Sequence, residues 1–515
     1  MNGRLAVLRS VTIVTVSTYI EYALGLIVSV WIARALGPAD FGRYAFTIWL
    51  CGWLIVCSNH ALTTSSTKFI AEAEGAGAVH IASHMAYRLS RVQNLSSFIV
   101  ITMFLLASWI FRPTEWHQFL FPVTALVTIA VVAKANYAML VAIEKGQERF
   151  EPEAISIVLG GAIGVALIIA ATLAHAGLLA FVAIFAVVSL TLNLLNRLLY
   201  RRYCQPFSAG PVPPETGRRL NRHLRLTAAL VLLGSLKAGT IEVFLLNAFT
   251  TSTAVGFFVI AGTLTRGAVQ LFSVGLTSTL LPYMAKSFGR NGHAEAAHFL
   301  AGATRFYWAV GIAVAGIGLI STREIVTLMY GQRYLDAVPA IQATLVLAGL
   351  LLIGNGISAF QTVVDRQDDR VRITVIALAA NALLGIILIP GLGLLGAVLT
   401  YAGTRITELA LAIYYLRRAT TSGLPMAPMV RLFAAGVVAT AAAWLVTNML
   451  TGHYGFIVGA MTFIAIYVPA SVLVAYWNTD DYSLMMLLAG RLGLPGRVLI
   501  RGLSGLQGLT AKAST

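Results

Sequence analysis

The stretch AISIVLGGAIGVALIIAATLAHAGLLAFVAIFAVVSLTLNLLNRLL, residues 154–199, carries a single residue that is charged at neutral pH, Arg197. Its two apolar runs, 154–174 and 177–199, meet at a short turn around Gly177. Each reaches the ~20 residues that a helix needs to cross the hydrocarbon of a bilayer. A lipid-embedded backbone must satisfy its own hydrogen bonds, so the pair reads as two antiparallel transmembrane helices.

The same pattern extends in both directions. Upstream lie candidate spans at 11–36, 44–66, 92–111 and 118–143; downstream lie 226–249, 252–282, 303–321, 338–360, 372–390, 393–416, 430–451 and 454–477. With the opening pair they make fourteen. Only 11% of the 515 residues are charged and 58% are apolar, against about 25% charged in a soluble domain. The expectation is an all-α polytopic membrane protein, which excludes a soluble enzyme on one anchor. The first apolar segment, at about 26 residues, exceeds a signal-peptide core and lacks a small-residue cleavage site, so it is expected to stay as the first span.

The net charge of +16 would suggest nucleic acid if the cations lay on one soluble face, but they sort by loop. Both termini and the loops after even-numbered helices hold 27 of the 36 Lys and Arg residues, while the opposite side holds Arg34, Arg43, Arg112, Arg323 and Arg333. The positive-inside rule then places both termini in the cytoplasm, and the basic charge reflects topology, with no nucleic-acid partner expected. Cys51, Cys57 and Cys204 are too few and scattered for a disulfide framework or zinc site. His80 and His84 have an i,i+4 spacing without the acid of an HExxH motif, so no metal is expected there. No GxSxG elbow points to nucleophilic catalysis, and neither enzyme activity nor a cofactor is expected.

Three local matches recur at similar separations, the mark of a duplicated bundle. ADFGRYAF (39–46) matches TAVGFFVI (253–260), EKGQER (144–149) matches DRQDDR (365–370) in acid and base order, and GLLA at 177 matches GLLG at 393. They divide the chain into a six-helix lobe with a cytoplasmic linker at 1–216 and a second six-helix lobe at 217–425. Two added helices at 426–478 follow, then a basic amphipathic tail at 479–515. The Pro- and Arg-rich stretch 201–225 is the linker, and LMMLLAGRLGLPGRVLIRGL (484–503) has the pattern of a helix lying on a membrane surface. Six spans is an even number, so the lobes share an orientation and a substrate site is expected between them.

Five ordered segments carry a family resemblance: ARALGPADFGRYAF (33–46), AIEKGQERF (142–150), LLPYMA (280–285), TLMYGQRYLDAVPAIQ (327–342) and LIPGLGLLGAVLTYAGTR (388–405). They resemble the polysaccharide-transporter (O-antigen and exopolysaccharide, Wzx-type) branch of the multidrug/oligosaccharidyl-lipid/polysaccharide flippase superfamily. The resemblance implies a V-shaped pair of lobes that moves a polyprenyl-diphosphate-linked glycan outward across the bacterial inner membrane by alternating access. Membrane lipid, polysaccharide polymerase and chain-length machinery are the other partners it implies. The residues themselves also read structurally: Gly37 and Pro38 break a helix, Asp40 can cap the next one, and Gly42 and Gly256 suit close helix approach.

Seven ionisable residues fall inside the proposed spans: Glu21, Lys134, Lys237, Glu242, Arg266, Arg405 and Glu408. At roughly 2.5–3.5 kcal/mol for each charge at a helix centre, they must face protein or water. Arg405 and Glu408, at i,i+3, can pair. Lys237, Arg266, Lys134 and Arg405 are the candidate cations of a cavity, because a diphosphate leaves water only against several cationic donors. Helices one, two, seven and eight line the cleft in the resembling family, which adds Glu21 and Glu242 as residues that tune the charge or carry a coupling proton. A cation-coupled multidrug exporter is the first alternative, for which an acidic cavity is expected. A peptidoglycan-precursor flippase is the second, and a polymerase or ligase is disfavoured by short outer loops.

Overall fold

The computed structural model describes residues 2–111, 116, 119–237, 241–420, 424–450, 455–478 and 481–482. Among them there is no strand. The helices are α1 (Asn2–Asn59), α2 (Leu62–Gly75), α3 (Val79–Phe111), α4 (Leu120–Gly146), α5 (Glu151–Leu173), α6 (Leu178–Tyr203), α7 (Pro214–Lys237) and α8 (Ile241–Phe249). They are followed by α9 (Ser252–Met329), α10 (Val338–Leu350), α11 (Ile353–Val363), α12 (Gln367–Ala419), α13 (Met426–Met449) and α14 (Gly455–Leu473). The tail helix expected at 484–503 lies outside the described residues.

Ten helices among the described residues are long and apolar enough to cross a membrane, or twelve when each of two bent pairs counts as one span. Two of the longest cannot each be a single pass. The 58 residues of α1 and the 53 of α12 would, at about 1.5 Å per residue, run far beyond a ~30 Å hydrocarbon layer. Both are broken. In α1, Gly37 takes φ 73° immediately before Pro38, and in α12, Gly393 takes φ 56° just after Pro390. Glycine reaches that left-handed region without steric cost, and proline removes a helix donor. The fourteen passes expected from the sequence stay a proposal beside these ten to twelve. Phe111, Leu173, Met449 and Leu473 are 75–85% exposed, as apolar side chains facing lipid should be.

The chain packs as two compact units that divide after Val259. In the first, Leu62, Phe69, Met85, Met139 and Ile143 form one core under Tyr200, and Cys51, Phe104, Trp116, Val127 and Val131 form another. In the second, Tyr307, Ile353, Phe360 and Leu416 share a core, and Ile312, Leu432, Phe463 and Tyr467 share another that ties α13 and α14 to α9. The first unit takes in α7 and α8. Arg219 on α7 donates to both carboxylate oxygens of Glu72 on α2 at 2.5 and 2.7 Å, and Phe244 on α8 stacks on Trp49 at 6.1 Å. The six-helix division at 216 stays a proposal drawn from the sequence repeat.

The Pro- and Arg-rich linker is half extended clip and half helix. Gln205 donates its N–H to Gln147 Oε1 at 3.1 Å while its carbonyl accepts from Tyr200 Oη at 2.6 Å. Farther along, Ser208 donates its N–H to Ser83 Oγ at 2.8 Å, and His84 Nδ1 lies 3.0 Å from the Pro211 carbonyl. From Pro214 onward α7 continues with Arg218, Arg219, Arg222 and Arg225 exposed.

The two units repeat one another locally. At the end of α4, Arg149 donates its N–H to the Glu144 carbonyl at 2.9 Å and Glu148 takes φ 57°; at the end of α11, Arg366 donates its N–H to the Gln361 carbonyl at 2.8 Å and Asp365 takes φ 58°. All three equivalences are 217 residues apart. The sequence match of EKGQER to DRQDDR therefore sits one helical turn out of register. Acid and base order aligned Glu144 with Asp365, whereas backbone geometry aligns it with Gln361.

Candidate functional site

The two units divide the intramembrane charges. Lys134, on α4 of the first unit, is half-buried, with Nζ 5.7 Å from the centroid of the Phe185 ring on α6. Its field also reaches the Cys51 thiol on α1. Glu242 lies at the start of α8 and is 1% exposed. In the second unit Arg266 is exposed on α9, its guanidinium folded back over Gly262, where an added Cβ would stand 3.1 Å from Nη1. Arg405 and Glu408 are joined at 3.0 Å, and the Arg405 guanidinium also lies 5.4 Å from the Tyr401 ring centroid. This pairing compensates the Arg405 charge. The side chains of Glu21 and Lys237 lie outside the described residues.

The punctuation residues meet at one place. A Cβ on Gly42 would overlap the Ser252 carbonyl oxygen, and one on Gly256 would come within 2.8 Å of the Pro38 carbonyl. Gly42 and Gly256 thus let α1 and the first turns of α9 touch backbone to backbone, a contact small residues permit and larger ones forbid. Asp40 accepts from Arg43 Nη1 at 3.0 Å on the exposed face of the same segment.

In the second unit a cavity of about 460 Å³ opens between α9, α10 and α13. Ile312, Leu319, Gln342, Phe433 and Trp444 line it, and none of the seven intramembrane charges does.

On the linker side, the Arg219 guanidinium holds the Glu72 carboxyl below its usual range through its hydrogen bonds and charge. Burial pushes the Cys204 thiol up to about 12, so it is protonated and unreactive at neutral pH. His84 is engaged by the linker backbone, and its imidazole sits where a Cβ on Gly210 would go.

Sequence reasoning passed over Glu144. It quoted the residue only as the leading acid of EKGQER and within AIEKGQERF, yet the side chain is fully buried, accepting at Oε1 from Asn196 Nδ2 at 2.7 Å; Asn196 Oδ1 accepts in turn from Ser156 Oγ at 3.1 Å. A polar triad of Glu, Asn and Ser spread over three apolar helices is the one signal that could have marked it.

Ten to twelve helical passes among the described residues, broken at glycine and proline, define an all-α polytopic membrane protein. The chain belongs to the polysaccharide biosynthesis protein family, whose description matches residues 7–288, more than half of its length. Its fold is that of "Lipid II flippase MurJ, inward closed conformation", at 13% identity and a TM-score of 0.69 over 89% of this chain and 98% of that one. An inward-facing multidrug resistance MATE family transporter of the MOP superfamily matches at 15% identity and a TM-score of 0.56, over 84% of this chain and 98% of that one. A MOP superfamily transporter from Pyrococcus furiosus matches at 16% identity and a TM-score of 0.53, over 80% of this chain and 95% of that one. No curated protein matches the sequence.

Proposed function

We propose that the chain is a flippase that moves a polyprenyl-diphosphate-linked oligosaccharide across the bacterial inner membrane by alternating access, for surface polysaccharide biosynthesis. Membership of the polysaccharide biosynthesis family on a polytopic transporter fold carries this reading. A glycan assembled on a lipid in the cytoplasm needs a carrier for its polar part, because many hydroxyls and two phosphate charges cannot enter hydrocarbon unaided. The candidate cations for the diphosphate are Lys237, Arg266, Lys134 and Arg405, the last of which also pairs with Glu408 at 3.0 Å. Glu21 and Glu242 are then the residues that adjust the net charge of the path. Both termini are taken as cytoplasmic, from the distribution of Lys and Arg.

Deleting the gene and identifying the lipid that accumulates on the cytoplasmic face tests the proposal. A lipid-linked oligosaccharide repeat, with loss of surface polysaccharide, is the expected result. Accumulated peptidoglycan precursor would transfer the chain to that pathway, and drug sensitivity with normal surface polysaccharide would make it a multidrug exporter.

A further inference from the structure

Glu144 ends α4 in surroundings that suit a neutral acid and not a carboxylate. Its side chain is 0% exposed. Oε1 has one donor, the neutral amide of Asn196 at 2.7 Å, and Oε2 is buried with no hydrogen-bond partner among the described residues. The adjacent cation is committed elsewhere: Lys145 Nζ sits 2.8 Å from Glu153 Oε1. A buried carboxylate facing one amide bears an uncompensated charge, and in practice such a group takes up a proton instead. The neutral acid leaves at most one O–H to satisfy, a far smaller cost than a lone buried charge.

The second unit supplies an independent observation. At the equivalent helix end the residue in the place of Glu144 is Gln361, which is 3% exposed and is the neutral isostere of a protonated glutamate. The neighbouring polar link has been rebuilt at the same spacing: Lys145 to Glu153 at 2.8 Å in one unit, Arg370 to Thr362 at 2.9 Å in the other. One position, read twice, holds a neutral side chain in one copy and a titratable group of the same shape in the other.

We propose that Glu144 is a proton-binding site, occupied at neutral pH, whose emptying puts a bare negative charge into the joint of α4, α5 and α6. The titratable and charged groups facing it are Lys145 from the end of α4, Glu153 from α5, and Tyr200 and Cys204 from the end of α6; Arg149, Glu151 and Glu74 lie one step out, against Cys204 and Tyr200. The carboxylates among them oppose a second negative charge nearby, and Lys145 is held by one of them. Rising pH then weakens this joint, and the inference stands whatever substrate the protein carries.

Infrared difference spectroscopy on the full-length protein in lipid bilayers tests it. At neutral pH the wild type should show the C=O stretch of a protonated buried carboxyl that Glu144→Gln lacks. The band should titrate away on alkalinisation, and at a higher pH in Asn196→Leu, which removes the donor that favours the charged form. Thermal unfolding supplies a second readout. A group that binds its proton more tightly when folded loses stability as pH rises through its folded range, so the wild-type Tm should fall and that of Glu144→Gln should stay flat. A neutral-pH difference spectrum showing only carboxylate bands, or a Tm slope unchanged in Glu144→Gln, would overturn the proposal.

Discussion

Arg266 and Lys237 are the positions at which single side chains decide the proposed chemistry. A hydrogen bond to a charged group contributes about 1.5–3 kcal/mol, so Arg266→Ala and Lys237→Ala should each lower transport roughly 10- to 100-fold at limiting substrate. Arg266→Lys should retain part of the activity, because a point charge partly replaces the guanidinium fork. Flipping assays in vesicles, at matched protein levels, check this, and wild-type rates in both Ala variants would remove these cations from the path. Glu72 poses a different question. Its carboxyl binds protons more weakly when folded, because Arg219 hydrogen-bonds the charged form. The contribution of that pair is therefore present above the ordinary carboxylate range and is lost as pH falls through and below it. Hydrogen exchange over residues 214–225 should quicken in the wild type on such acidification. Glu72→Gln should exchange quickly already at neutral pH and respond little to acid; equal protection in both proteins at neutral pH would show that the pair does not hold α7.

Among the elements, α1 and α9 depend on glycines 42 and 256 for their approach. Gly42→Ala would normally favour a helix by about 1 kcal/mol. Here it collides with the Ser252 carbonyl, and overpacking of that kind costs about 1–3 kcal/mol. Net destabilisation, read as a lower Tm in detergent with a larger loss for Gly42→Val, is the expected outcome; a Tm raised by Gly42→Ala would mean that the helices separate without cost. The break at Gly37 and Pro38 was legible because both residues act through their own backbone. The register of the repeat at α4 was not, since charge order is a weaker guide than the helix end itself, and that end shows only in the Arg149 to Glu144 bond. Glu144 stayed hidden for a similar reason: its burial depends on Asn196 and Ser156, which local sequence does not bring to it. Nor does apolar length reveal that α1 stops at Asn59 and α2 starts afresh at Leu62, both inside the run 44–66 that reads as one span.

At the scale of the whole molecule, apolar run length alone was enough to reveal the membrane class, because hydrocarbon imposes one length on every pass. Reporter fusions at residue 210 and at the C-terminus should both report cytoplasm, and an external signal from either would reverse the topology. The boundary of the first compact unit has a consequence for biogenesis. When residue 216 leaves the ribosome, six helices have been made, but Glu72 still awaits Arg219 and Trp49 still awaits Phe244. The nascent first unit closes only once α8 and the opening turn of α9 have emerged, near Val259. Early folding of N-terminal bodies during synthesis is the usual order; here the closing pieces are encoded past the repeat boundary, so a gene split at 216 would give a first fragment lacking part of its own core.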